Sequence, residues 1–486
     1  MSELKKDLLE RKREIVAGDE AKIARQKAAG KLTARQRIAM LLDEGSFVEI
    51  GALVKSADAS GESVVTGYGT VDARPVYVYA QDFTVKGGAV DALQAKKIVR
   101  VMQLAQKTGE PLVAVMDSAG ASLKEGAAAL EGYAQIIAGH ARLSGVVPQI
   151  ALVAGPCVGA AAVAASACDF TVMTQKISAL LSQGAQIVSA KSGKDYTPET
   201  LGGAAAADKA GACAYAAADE AEAIGAVKRI LAFLPSNNME EAPAYEGEDL
   251  NRPIAAGTDP AYLASQLADG GEAMALYAGF APEMYCGFVK LGGFCAGIVA
   301  NNAAENDGVI TPDAAAKAAK FIGICDSFNI PVVSLINTVG FVVDGACENF
   351  SSVQGGAKLA FAYAQANVPK VSVVIGKAIG GGYAVMGSKA LGADMTYAWP
   401  QAVIAPLNGD AGARILYNAQ IKEGMSVQEA QEKYEADNCP FAAAASGAVD
   451  DVIAPEATRQ YLIAAIDMLY SKREPVLPRK HGNAPM

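Results

Sequence analysis

Two glycine-bearing turns stand out among the residues able to do chemistry: Gly155-Pro156-Cys157-Val158-Gly159-Ala160 and Gly376-Lys377-Ala378-Ile379-Gly380-Gly381-Gly382. Each follows an apolar run and opens a small-residue stretch that reads as the start of a helix. The first N–H groups of a helix lack intrahelical acceptors and point outward together. With no bulky side chain above them they can close on an oxygen that becomes negative during reaction, an oxyanion hole worth ~3–4 kcal/mol per donor. Glycine also permits plain close packing, and either turn alone favours that simpler use. Two equivalent turns in one chain point to a reaction with two developing oxyanions.

Side-chain chemistry is scarce by comparison. The chain has two histidines, His140 inside a helical stretch and His481 in the tail, and neither has a Ser/Asp constellation near it. Cys157 lies beside the first turn but has no base nearby, so it reads as a small packed thiol. Asp117 and Asp169 flank apolar runs and read as cap residues. Eight scattered cysteines without a CxxC or Cys/His spacing argue against a zinc site or a disulfide framework, so no metal is expected. Neither turn matches GxGxxG after a first strand, nor GxxxxGK[ST]. The residues therefore fit a chemistry carried by backbone dipoles, with the acid–base group coming from a cofactor.

The elements that must position these turns are themselves duplicated. Within residues 92–172 a helix leads to Pro111, the apolar run 112–116 and the loop Asp117-Ser118-Ala119-Gly120. A second helix, Pro148, the run 150–154 and the first turn follow. Residues 313–398 repeat that order with Pro331, the run 332–336, the loop Asn337-Thr338-Val339-Gly340, a helix, Pro369, the run 371–375 and the second turn. The offset drifts only from 220 (Pro111 to Pro331) through 221 (Pro148 to Pro369) to 222 (Gly159 to Gly381). The chain is two copies of one fold. Apolar runs without alternation suit strands buried on both faces, which implies an α/β architecture with mostly parallel sheets covered by helices.

Residues 1–62 read as an N-terminal helical arm, charged over 2–44 and broken at Gly18 and Gly30, that serves as a solvated packing arm. Thr33 opens a capping-box helix that runs through Leu42. Residues 63–240 form the first half: strands over 63–83 with a turn at Arg74-Pro75, a helix start at Thr197-Pro198-Glu199, and an alanine-rich helix over 203–218. Residues 235–260 carry four prolines and six acidic residues, and the linker is set at 241–262. The second half, 263–486, begins with strands near 284–292 and 295–301. It ends in a basic tail (Lys472, Arg473, Arg479, Lys480) that suits a subunit contact. A net charge of −10 argues against nucleic acid as a partner. No apolar run reaches the roughly 18–20 residues of a spanning helix, so direct membrane insertion is not expected. The start lacks a signal-peptide core, and a cytoplasmic protein with reduced thiols is the expectation.

Several segments resemble one family across nearly the whole length. They include Gly30-Lys31-Leu32-Thr33-Ala34-Arg35-Gln36-Arg37-Ile38, Leu42-Asp43-Glu44-Gly45-Ser46-Phe47-Val48-Glu49 and Gln81-Asp82-Phe83-Thr84-Val85-Lys86-Gly87-Gly88. Ser144-Gly145-Val146-Val147-Pro148-Gln149, Gly155-Pro156-Cys157, Cys325-Asp326-Ser327-Phe328-Asn329-Ile330-Pro331, Tyr397-Ala398-Trp399-Pro400 and Lys480-His481-Gly482-Asn483 belong to the same set. They resemble the carboxyltransferase subunits of biotin-dependent acyl-CoA carboxylases and of sodium-pumping acyl-CoA decarboxylases. The segment from Phe233 to Glu240 looks most like the methylmalonyl-CoA decarboxylase branch.

The resemblance implies two crotonase-like domains (the ClpP/crotonase superfamily) of ββα type. It also implies a homohexamer whose active site lies between halves of neighbouring subunits, with coenzyme A thioester on the first half and biotin on the second. By position, Gly159 and Ala160 match one oxyanion pair and Gly381 and Gly382 the other, for the thioester enolate and the biotin ureido oxygen. Ala119-Gly120 and Gly340-Phe341 match the loops lining the acyl-CoA and biotin sides. The chain has no Ala-Met-Lys-Met setting for biotin attachment, so biotin would arrive on a separate biotin carboxyl carrier protein. The further partner would be a biotin carboxylase or a membrane decarboxylase subunit.

The chain also departs from the pattern. The family's Ser-Gly-Gly-Ala-Arg loop is Ser118-Ala119-Gly120-Ala121-Ser122, its Cys-Ala-Gly-Gly is Cys157-Val158-Gly159-Ala160, and an aspartate tied to acyl selectivity is Ala384. Ser351 to Lys358 replaces a segment that ordinarily holds an arginine and a histidine. These losses keep two other readings open: a non-catalytic paralogue with a scaffolding role, and a biotin-independent crotonase-type hydrolase or decarboxylase.

Overall fold

A computed structural model describes residues 2–54, 62–342, 351–474 and 482–485; Arg479, Lys480 and His481 lie outside them. The chain divides into two compact units, Met1–Glu240 and Glu241–Met486. Among the described residues no helix is long and apolar enough to cross a membrane.

The first unit begins with helices α1 (Ser2–Ala17), α2 (Glu20–Ala28) and α3 (Ala34–Leu41). Gly18 and Gly30, at φ +62° and +72°, separate them, since a left-handed backbone is cheap only without a Cβ. Thr33 and Gln36 close a reciprocal capping box at the start of α3. Then come β1 (Val48–Glu49), β2 (Val64–Val71), β3 (Arg74–Gln81), α4 (Ala92–Thr108), β4 (Leu112–Ser118), α5 (Ala127–Leu143), β5 (Gln149–Val158) and α6 (Ala160–Ser166). The unit closes with β6 (Phe170–Thr174), β7 (Ala179–Leu181), α7 (Ala185–Ser192), α8 (Pro198–Gly202), α9 (Ala204–Lys209), β8 (Tyr215–Ala217) and α10 (Glu220–Phe233). The sheet runs β1-β2-β3-β4-β5-β6-β8, with β7 on the far end of β5. β1, β2 and β3 pair antiparallel; β3 through β8 pair parallel. Every residue of β4 is buried, as a strand covered by helices on both faces requires.

The second unit repeats the plan. Its elements are α11 (Pro260–Leu267), β9 (Ala273–Leu276), β10 (Met284–Leu291), β11 (Phe294–Asn301), α12 (Pro312–Ser327), β12 (Val332–Thr338), α13 (Ser351–Gln365), β13 (Lys370–Ile379) and α14 (Gly380–Val385). After β14 (Met395–Ala398) and β15 (Val403–Ala405) come α15 (Gly409–Leu416), α16 (Asn418–Lys422), α17 (Val427–Asp437), α18 (Pro440–Ala445), β16 (Asp451–Val452) and α19 (Thr458–Leu469). The sheet order β16-β14-β13-β12-β11-β10-β9, with β15 on β13, mirrors the first.

Two sequence expectations need correction. The alanine-rich stretch over 203–218 is not one helix: α9 stops at Lys209 and β8 follows, because Val172 to Thr174 of β6 offer a free edge that pairs with Tyr215 to Ala217. The β2–β3 turn is at Asp72-Ala73, both at positive φ, with Arg74-Pro75 already in β3. The arm packs as expected, with Arg37 of α3 fully buried.

Candidate active site

Both turns leave the carboxyl ends of adjacent parallel strands. In the first unit β4 and β5 run in register from Leu112–Gln149 to Met116–Val153, then shift so that Ser118 stands opposite Cys157. In the second, β12 and β13 run from Val332–Lys370 to Ile336–Val374 and shift so that Thr338 meets Ala378. In each case one residue of the shorter strand faces three of the longer. That bulge swings the strand end across to pair with β7 or β15 before the turn.

The first turn pivots on Gly159 at φ 65°, ψ −127°, and α6 starts at Ala160. The Gly159 N–H is already committed to the Leu181 carbonyl at 2.8 Å. Among the described residues no acceptor takes the Ala160 N–H, the first donor of α6. The matching left-handed glycine of the second unit is Gly380 at φ 58°. It sits one step past Ile379 as Gly159 sits one step past Val158. The structural register therefore pairs Gly159 and Ala160 with Gly380 and Gly381, and Gly382 with Ala161. Gly381 is exposed and Gly382 is buried. A Cβ at Gly382 would come within 2.7 Å of the Gly340 Cα, and one at Gly381 within 2.7 Å of the Phe341 ring.

The neighbouring loops are built alike. Gly120 and Gly340 sit at φ 104° and 111°, and their N–H groups donate to Ser118 Oγ at 3.0 Å and Thr338 Oγ1 at 3.1 Å. The Ala119 N–H donates to the Gly87 carbonyl at 2.8 Å. Val90 and Ile310 donate to the Gly120 and Gly340 carbonyls at 3.0 and 2.9 Å, fixing both loops to the preceding segment. Ser122 N–H returns to the Val90 carbonyl at 2.9 Å, so the Ala121 N–H faces away from that bridge, and no described residue accepts it. Sequence reasoning stopped at Ala119 and Gly120. No sequence signal marks Ala121, because the alternation of used and unused donors depends on the bridge to Val90.

Beneath the first turn lies a cluster of buried charges. Asp117 does not cap a helix: it is fully buried at the end of β4. Its carboxylate accepts from Lys31 Nζ at 2.7 Å, Arg37 Nη1 at 2.8 Å and Gln26 Nε2 at 3.2 Å. Arg37 also donates to Glu220 at 2.5 Å and to the Ala154 carbonyl at 2.6 Å. Burial works against the Arg37 charge, but Asp117 and Glu220 outweigh it and hold the guanidinium above its ordinary pKa. Burial draws the Lys31 ammonium below its usual range against the pull of Asp117. Asp169 also caps no helix; it accepts the Gln149 N–H at 2.8 Å at the start of β5.

Burial disfavours the charged forms of Cys157, Tyr133 and His140 in the first unit. It pushes the Cys157 thiol far up, which favours its neutral, packed form over a thiolate. Burial likewise raises the Tyr133 phenol, which lies 3.4 Å from Ser118 Oγ and from the Gly120 carbonyl and braces that loop. His140 is fully buried in α5, with Nδ1 2.7 Å from Gln149 Oε1 and Nε2 3.1 Å from the Tyr79 hydroxyl. It is a structural residue. Among the described residues there is no cluster of His, Cys, Asp or Glu able to hold a metal ion. What the arrangement presents is two turns of one design, with an unclaimed backbone N–H at Ala160 in the first and an exposed glycine, Gly381, at the matching place in the second.

The carboxyl transferase domain model matches residues 25–484. The propionyl-CoA carboxylase beta chain of Saccharopolyspora erythraea is 42% identical, over 99% of this chain and 95% of that one. The methylmalonyl-CoA decarboxylase subunit alpha of Propionigenium modestum is 38% identical, over 99% of this chain and 98% of that one. Among solved structures, the hexameric transcarboxylase 12S with methylmalonyl-coenzyme A and methylmalonic acid bound is similar, with a TM-score of 0.94 at 37% identity, covering 99% of this chain and 98% of that one. The chain belongs to the carboxyl transferase domain family, and its two units are duplicated crotonase-like folds.

Proposed function

We propose that the protein is the carboxyltransferase of a biotin-dependent acyl-CoA carboxylase or decarboxylase, acting on the propionyl-CoA/methylmalonyl-CoA class. The observation that carries this reading is the pair of registered turns, with an unclaimed N–H at Ala160 in the first and an exposed backbone at Gly381 in the second. The first half (63–240) takes the coenzyme A thioester and the second (263–486) takes biotin.

On the first half, Ala160 is the donor to the thioester oxygen, Gly159 shapes the turn, and the Ala119–Ala121 loop lines the acyl group. As the α-carbon exchanges a proton for a carboxyl group, or the reverse, charge gathers on that oxygen. A preorganised N–H stabilises it by ~3–4 kcal/mol. The first half thus works without a side-chain base.

The second turn suits the ureido ring of biotin. Gly381 presents an exposed backbone, and the Phe341 ring fills the space a side chain at 381 would need, a flat apolar wall beside a polar donor. Gly340, Phe341, Gly381 and Gly382 would hold the ring. Bound carboxybiotin supplies the carboxyl group and a nitrogen able to carry a proton. Biotin is carried on a separate carrier protein, the working unit is a cytoplasmic homohexamer, and its partner is a biotin carboxylase or a membrane decarboxylase subunit.

The test is turnover of methylmalonyl-CoA and malonyl-CoA by purified protein with and without free biotin. Biotin-dependent decarboxylation is expected. Turnover indifferent to biotin would refute the reading in favour of a crotonase-type enzyme, and hexamers without turnover on any short acyl-CoA would favour a scaffold.

A further inference from the structure

The two halves solve one local problem in different ways. In the second, Asn337 sits inside the β12–β13 bulge and its Oδ1 accepts the backbone N–H of Lys377 at 3.0 Å. A Cβ at Gly376 would lie 2.4 Å from that oxygen, so the amide is lodged directly against the bulge. The same position in the first half is Asp117, lodged against Gly155, where a Cβ would lie 2.0 Å from Oδ1. The residue matching Lys377 is Pro156, which has no N–H to give. The donor that fixes the bulge in the second half does not exist in the first.

Its place is taken from 80 to 86 residues away: Arg37 and Lys31 supply the donors to Asp117. Arg37 also holds the Ala154 carbonyl, at the first residue of the bulge. The Leu32 N–H and Arg37 fix Glu220, closing the cluster.

We propose that Lys31 and Arg37 are positioning residues for the first turn: they replace the missing backbone donor at Pro156, and so make the N-terminal arm part of the first oxyanion turn. This rests on the carboxyltransferase reading for its kinetic consequence but not for its structural one.

The experiment compares Arg37→Met with a five-site exchange: Lys31→Met, Arg37→Met, Asp117→Asn, Pro156→Ala and Glu220→Gln. The exchange gives the first half the neutral amide and backbone donor of the second. Amide hydrogen exchange is read at Gly159 and Val163, whose N–H groups bond Leu181 and Gly159, and at Met386 in the second half, bonded to Gly382.

In Arg37→Met, exchange at Gly159 and Val163 is expected to accelerate while Met386 is unchanged. Because small displacements of a reacting geometry cost about 10²-fold, kcat should fall by that order while KM for the acyl-CoA moves by less than about threefold. The five-site exchange should recover the slow exchange and most of kcat.

Equal acceleration throughout residues 62–240, or no acceleration, overturns the proposal. So does a five-site variant whose first turn exchanges no more slowly than in Arg37→Met. If Arg37→Met does not fold, the five-site variant decides: wild-type exchange at Gly159 and Val163 supports the proposal, and fast exchange there overturns it. Wild-type protein without biotin-dependent turnover would sink the carboxyltransferase reading while leaving the exchange comparison intact.

Discussion

Gly155→Ala and Gly225→Ala add the same methyl group and should move stability in opposite directions. At Gly155 the new Cβ would lie 2.0 Å from Asp117 Oδ1, 2.3 Å from its Cγ and 2.7 Å from Lys31 Nζ. To reach ordinary contact the carboxylate must retreat by roughly 1.4 Å. A shift of that size is incompatible with keeping both the 2.7 Å pair to Lys31 and the 2.8 Å pair to Arg37 as they are. Breaking one side of a buried ion pair costs ~3–5 kcal/mol, because the separated charges stay out of water. For a unit of this size each kcal/mol is worth about 2–4 °C, so a drop of roughly 10 °C in the melting temperature of the first unit is expected. Gly225 lies inside α10 with nothing within 4 Å of its added Cβ. Alanine there should stabilise by ~0.5–1 kcal/mol, through lower unfolded-state entropy and better helix propensity. Scanning calorimetry of both variants reads this directly. A Gly155→Ala protein that melts within about 2 °C of wild type would refute the claim that Asp117 is lodged against β5.

Ala160 occupies the first position of α6, where proline fits, so Ala160→Pro should fold while losing its N–H donor and about 10²–10³-fold in kcat. Ala160→Gly keeps the donor and should stay within about threefold; steady-state kinetics of the pair checks both. Cys157→Ala should retain turnover within about threefold, since burial holds that thiol protonated, and a complete loss would restore it as a nucleophile. Burial lowers the His140 pKa from 6.5 to about 4, so the folded state stays neutral where the unfolded chain takes up a proton. Stability should therefore fall as pH drops from about 6.5 towards 4, by roughly 3 kcal/mol in all. His140→Gln should flatten that slope in urea titrations at successive pH values, and an unchanged slope would contradict the assignment.

Much of the fold was legible because its signals are local. Thr33 and Gln36 stand three residues apart, and the capping box they announce is formed. Thr197 before Pro198 announces α8 in the same way. The unbroken apolar runs 112–116 and 332–336 need burial on both faces, and both strands are fully buried. The alanine-rich stretch misled because propensity is a weak force beside an open strand edge: Tyr215 to Ala217 gain ladder hydrogen bonds on β6 that a longer helix would forgo.

At the site, the sequence alone determined that there are two turns and that they are related by duplication, which needs only residue types and spacing; that backbone rather than side chains serves them is the reading proposed above. Tertiary structure decided the rest. Gly159 spends its N–H on Leu181, a partner 22 residues away in β7, so the unclaimed donor is at Ala160. The left-handed pivots set the register as Gly159 with Gly380, one step from the pairing that counting glycines suggests. Asp117 is a buried anion answered by Lys31 and Arg37, not a cap. A carboxylate in sequence carries no mark of its surroundings; only folding shows that Pro156 withholds a donor and that the arm provides one.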